Sequence, residues 1–94
     1  MAIFAVTYTY DASAESLNEI RPTHREFLAK LLEEGVLLAS GPMVDTNGAL
    51  LILRADSVEE VSHLLNTDPF DIAGFIGERT ITEWNPVFGP WSAK

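Results

Sequence analysis

Residues 36–55 read Val36-Leu37-Leu38-Ala39-Ser40-Gly41-Pro42-Met43-Val44-Asp45-Thr46-Asn47-Gly48-Ala49-Leu50-Leu51-Ile52-Leu53-Arg54-Ala55. Two apolar runs, Val36 to Ala39 and Ala49 to Ala55, flank a segment that carries Ser40-Gly41-Pro42 and Asn47-Gly48. Asn-Gly favours a tight hairpin because both residues tolerate positive φ, and Gly-Pro interrupts regular pairing. The stretch predicts two neighbouring antiparallel strands, with Ser40-Gly41-Pro42 closing the first and Asp45 in the turn.

Upstream of this hairpin, Leu17, Ile20, Phe27, Leu28, Leu31 and Leu32 recur at helical spacing up to Gly35, and Ser16 with Glu19 has the form of a capping box. Pro22 interrupts the pattern, since its ring clashes with the carbonyl four residues back and it has no N–H to donate. Either a short turn precedes a main helix that starts near Pro22, or one helix kinks there. Ile3 to Tyr10 is rich in β-branched and aromatic residues and stops at Asp11-Ala12-Ser13-Ala14, which predicts the first strand. Downstream, Ser57 with Glu60 forms a second capping box, opening a helix whose buried stripe is Val58, Val61, Leu64 and Leu65. Asp68 caps a short helical turn begun by Pro69, Ile76 to Trp84 is the last strand, and residues 85–94 form an irregular aromatic tail.

The order βαββαβ predicts a single α+β domain over residues 1–94, ferredoxin-like, with a four-stranded antiparallel sheet and its helices on one face. In the first strand Phe4, Val6, Tyr8 and Tyr10 point one way and Ile3 and Ala5 the other, while the third strand sets Leu51 and Leu53 against Leu50 and Ile52. Neither face is polar, and helices cover only one of them. The uncovered side is a larger apolar patch than monomers usually expose, so a homodimer joined sheet to sheet is expected, with Phe88 and Trp91 sealing its edge.

Composition narrows the function classes. Six Lys plus Arg against 14 Asp plus Glu give a net charge of −8 over 94 residues, which disfavours nucleic-acid and anionic-membrane partners. The absence of Cys excludes disulfides, thiolate metal sites and a cysteine nucleophile. With no basic leader and no apolar stretch of roughly 18 residues, a cytoplasmic location is expected. Two widely spaced His give no metal motif, no Gly-rich phosphate loop is present, and no cofactor is expected.

His24 is the most informative single residue. It falls on the apolar stripe with Leu17, Ile20, Phe27, Leu28 and Leu31, so an imidazole sits among core-facing positions. Near a helix start at Pro22, the dipole and partial burial would disfavour the imidazolium and leave a ring able to accept a proton. Asp68 is a candidate to orient that ring, although Asp before Pro is also a standard helix cap; a carboxylate has oxygens for both tasks. A core-edge His bonded to a backbone carbonyl is the plainer alternative. Arg21 could meet an anionic substrate or could pair with Glu19 or Glu26, and Ser40, Gly41 and Pro42 could line a pocket or merely end a strand. His63 lies off its helix's apolar stripe and reads as exposed.

Arg21-Pro22-Thr23-His24, then Gly35-Val36-Leu37-Leu38-Ala39-Ser40-Gly41-Pro42, then Ala55-Asp56-Ser57-Val58-Glu59-Glu60, then Asp68-Pro69-Phe70 with Ala73-Gly74 resembles the YCII-related family over nearly the whole chain. The resemblance implies a ferredoxin-like domain paired as a dimeric α/β barrel. It also implies a His and Asp pair beside the sheet, at positions matching His24 and Asp68. Related barrels include muconolactone isomerases and cofactor-free oxygenases of small ring compounds, an analogy at the level of fold.

Two functions follow as expectations. In the first, His24 and Asp68 perform acid–base chemistry on a small, hydroxylated ring without a cofactor, as an isomerase, lyase or dehalogenase, with Arg21, Ser40, Gly41 and Pro42 binding the small-molecule ligand. In the second, the domain is a non-catalytic ligand-binding or accessory dimerisation module. A polar core pair serving stability alone is a third reading of the same two residues.

Overall fold

The computed structural model describes residues 1–92. The elements run β1 (Ala2–Tyr10), α1 (Ala14–Glu33), β2 (Leu37–Pro42), β3 (Gly48–Ala55), α2 (Val58–Leu65), α3 (Pro69–Ile72) and β4 (Ile76–Trp84). The four strands form one sheet in the order β2-β3-β1-β4, and every neighbouring pair is antiparallel. This is the ferredoxin-like α+β arrangement. Asp45 holds positive φ (67°) in the β2–β3 connection.

Strand alternation sorts the two faces. Phe4, Val6 and Tyr8 of β1 and Ala49, Leu51, Leu53 and Ala55 of β3 are buried and pack with Leu31 of α1 and with Val61 and Leu65 of α2. The helices therefore share one face, as the alternation predicts. On the other face the register aligns Ala5 with Ile52 and Thr82, and Thr7 with Leu50 and Thr80. The Thr7 and Thr80 hydroxyls hydrogen-bond to each other there.

Several local expectations are corrected. The first helix is capped by Ser13, whose side chain accepts from the Ser16 N–H, so Ser16 lies inside the helix rather than at its cap. That helix is continuous through Pro22, and His24 lies in its interior, away from any N-terminus. The macrodipole therefore does not act on the imidazole as the sequence suggested, because the effect is confined to a terminal turn. Ser40-Gly41-Pro42 closes β2 as expected, but as its last three paired residues rather than as a breaker that follows the strand. β2 is an edge strand, where Pro is tolerated, and a register shift between Leu37 and Ala39 resets which side chains face the helices.

Asn47-Gly48 is also not the turn itself. Gly48 opens β3 and pairs with Thr9, and the Asn47 side chain donates to the Tyr10 carbonyl at 3.0 Å. A Cβ at Gly48 would lie 2.1 Å from the Tyr8 carbonyl oxygen, so glycine is required here by the close approach of β1.

The second helix is capped as expected, with the Glu60 N–H donating to Ser57 Oγ, but Val58 on its supposed apolar stripe is 41% exposed. Being first in the helix, it projects beyond the edge of the core. Beyond β4, residues 85–92 form no helix or strand. Trp91 packs edge-on against Trp84, with ring centroids 6.5 Å apart, while Phe88 is 92% exposed.

Candidate active site

Leu17, His24 and Leu31, seven residues apart, are the buried residues of α1. Two heptads of a helix bring the same face to the sheet, so the core stripe delivers His24 inward. Its Nδ1 lies 2.8 Å from Asp68 Oδ1. Asp68 is fully buried at the start of α3, and the same Oδ1 accepts the Phe70 N–H at 2.9 Å. Capping and pairing are thus done together by one carboxylate. The Phe70 ring stacks on the imidazole, with centroids 4.0 Å apart and planes 16° from parallel, which fixes the ring from its flat side.

The other carboxylate oxygen, Oδ2, accepts the Tyr8 hydroxyl at 2.8 Å. Burial raises the Tyr8 phenol far above its ordinary range, and the adjacent Asp68 charge and hydrogen bond push it further the same way. Tyr8 is therefore a permanent donor to Asp68 at physiological pH. Sequence reading placed Tyr8 only on one apolar face of β1, with Phe4 and Val6. The missed signal was its company: a tyrosine alternating with Phe4 and Val6 buries a hydroxyl that needs a partner.

Arg79 is a second residue the sequence reading did not single out. It pairs with Tyr8 across β1–β4, and its guanidinium donates to Asp71 Oδ2 at 3.2 Å and to Ser62 Oγ and Asn66 Oδ1 at 3.0 Å each. The bonds tie α2 and α3 to β4, and so hold the segment that carries Asp68.

As a carboxylate, Asp68 can only accept, so the neutral His24 ring carries its proton on Nδ1 and leaves Nε2 as the available acceptor. His24 lines a cleft of about 500 Å³ between α1 and the β2–β3 hairpin. Arg21, Ser40, Gly41 and Pro42 line the same cleft, so the structure gathers every one of these sequence candidates around His24, with Asp68 directly behind it. Arg25, Tyr10, Thr46 and Asn47 complete the polar lining. Arg21 makes no ion pair with Glu19 or Glu26; its Nε donates to Asn18 Oδ1 at 3.2 Å. Burial raises the Tyr10 phenol above its usual range, and the positive Arg21 opposes that shift across the cleft. His63 is exposed, as expected. Among the described residues, no group of three or more His, Asp or Glu side chains gathers as a metal site.

The YCII-related domain model matches residues 1–85, which takes in all of β1 to β4 and the His24–Asp68 pair. The chain belongs to the YCII-related family. Protein YciI of Escherichia coli O6:H1 is 32% identical over 96 aligned positions, covering 88% of this chain and 97% of that protein. The uncharacterized protein YjpA of Bacillus subtilis is 39% identical over 61 residues, covering 65% of this chain and 71% of its own length. Among solved structures, the 5-chloro-2-hydroxyhydroquinone dehydrochlorinase TftG of Burkholderia phenoliruptrix AC1100, in complex with 2,5-dihydroxybenzoquinone, superposes with a TM-score of 0.77. That match covers 88% of this chain and 93% of TftG at 22% identity, a likeness of fold. No helix of this YCII-related chain, among the described residues, is long and apolar enough to cross a membrane.

Proposed function

We propose that this protein is a cofactor-independent enzyme that performs acid–base chemistry on a small, hydroxylated ring compound, with His24 as the proton-transferring group. The carrying observation is the 2.8 Å contact between His24 Nδ1 and a fully buried Asp68, on the wall of a cleft large enough for one small ring. Nε2 removes a proton from a ring carbon or hydroxyl, and the imidazolium so formed is stabilised by the Asp68 charge behind it. Returning that proton at another carbon isomerises the ring; losing a leaving group such as chloride from the neighbouring position completes an elimination. Ser40 and the β2 backbone at Gly41 and Pro42 offer polar contacts for substrate oxygens. The fold shared with TftG, a dehydrochlorinase, supports the substrate class and the elimination arm.

The same reading pairs two copies through the sheet face that the helices leave open. Ile3, Ala5 and Leu50 are half-buried there, and Trp84 is 41% exposed. Two copies placed face to face would enclose these side chains.

A halide-release and isomerisation screen of chlorinated and hydroxylated hydroquinones tests the activity. The active protein is expected to lose about 10²–10⁴ in rate on His24→Ala, with its circular dichroism unchanged. Undiminished turnover in that variant contradicts the mechanism. Ligand binding without turnover of any compound would favour the non-catalytic binding module instead.

A further inference from the structure

The charge distribution of the cleft is the reverse of the chain's. The protein carries 14 Asp and Glu against six Lys and Arg, yet Arg21 and Arg25 both line the cleft, and among the described residues no carboxylate does. The two arginines stand four apart on one helix, a spacing at which like charges repel. Neither has an acidic residue three or four positions away on α1: Arg21 is flanked there by Leu17, Asn18, His24 and Arg25, and Arg25 by Arg21, Pro22, Leu28 and Ala29. Neither makes an ion pair among the described residues. Arg21 and Arg25 form a cationic edge on the wall that also presents the neutral His24, facing the uncharged hairpin residues Ser40 and Asn47.

Such an edge has an unmet need for negative charge. Guanidinium groups at i and i+4 present N–H donors to one oxyanion, and a bound anion would relieve their mutual repulsion. We propose that the ligand of this cleft is a small organic anion, a ring whose negatively charged oxygen lies between Arg21 and Arg25 and whose reacting atom faces His24 Nε2. Arg25 thereby becomes a binding residue alongside Arg21. This substrate class rests on the acid–base reading of His24 for the placement of the reacting atom, but the anion site itself is measurable without turnover.

Heteronuclear NMR titration of the unmodified protein with matched probes provides the test: benzoate against benzamide, and para-nitrophenolate against para-nitroanisole, above the phenol's pKa. At least one anion is expected to shift His24 and Asn47 signals and to bind about tenfold or more tightly than its neutral partner. Arg21→Gln and Arg25→Gln should each weaken that anion about tenfold, leave the neutral probe unchanged, and flatten the dependence on salt. A preference for benzoate identifies a carboxylate, and a preference for nitrophenolate an ionised ring hydroxyl. Equal binding of the charged and neutral probes, no anion binding at tens of millimolar, or an Arg25→Gln variant identical to wild type overturns the proposal. Anion binding that persists in a chain whose His24→Ala variant is fully active would remove the acid–base reading and leave the anion site standing.

Discussion

At the residue scale, one carboxylate does three jobs. Asp68 receives the imidazole, the Tyr8 hydroxyl and the Phe70 N–H with no exposure to solvent. A buried charge is tolerated when its acceptor capacity is filled, and each donor here fills part of it. Tyr8→Phe is accordingly expected to cost about 1–3 kcal/mol at neutral pH in urea denaturation, because it leaves Oδ2 buried without its donor. The gap should narrow in alkali. The native Tyr8 phenol is held well above the unfolded value, so its contribution is complete below about pH 10 and is lost as pH rises beyond it, when the unfolded chain ionises first. One such group lowers stability by about 1.4 kcal/mol per pH unit there. Tyr10 shifts in the same direction and remains in the variant. Wild type should therefore fall more steeply than Tyr8→Phe above pH 10; parallel profiles would show that the Tyr8 phenol ionises in the native state.

At the element scale, apolar spacing was the legible part of the sequence and polar punctuation was less so. The Leu17–His24–Leu31 face and the alternation of Phe4, Val6 and Tyr8 could be read directly, since burial follows the period of the element. Capping at the first helix could not, because Ser13 and Ser16 are equally good caps in sequence and only the path of the chain after Tyr10 selects the earlier one. Gly41-Pro42 reads as a strand breaker, yet at the outer edge of a sheet Pro42 has no neighbour on one side to disappoint. Asn47-Gly48 reads as a turn, but Gly48 is there for the approach of β1. Gly48→Ala should destabilise the fold by about 2–3 kcal/mol, since strand β1 must move away from a new Cβ. Its chemical-shift changes should reach Tyr8 and Asp68; a variant of wild-type stability would mean that β1 and β3 are looser than their register indicates.

At the scale of the whole molecule, the sheet has one face under helices and one face bearing Ile3, Ala5, Leu50, Ile52 and Trp84 among threonines. The covered face carries the candidate site, and the open face is the one proposed to meet a second copy. Light scattering is expected to give twice the 10.4 kDa chain mass, and Leu50→Glu, which sets a charge into the middle of that face, should give the single-chain mass with the helix content intact. A monomeric wild-type protein would leave the face unexplained. The candidate pair was legible only in part: His24 broke a local pattern, an imidazole on an apolar stripe, whereas Asp68 before Pro69 reads first as an ordinary helix cap. Their contact spans 44 residues of chain, and Tyr8 and Arg79 join them only through the sheet, which is information that local spacing does not carry.

In the proposed mechanism Asp68 holds His24 with Nδ1 inward, so that Nε2 faces the cleft as the proton acceptor. Long-range ¹H–¹⁵N correlation of the His24 ring, recorded at a pH where the imidazole is neutral, reads this directly. The predicted result is the Nδ1–H tautomer with a bare Nε2, altered by Asp68→Asn; an Nε2–H tautomer, or a ring indifferent to Asp68→Asn, would contradict it.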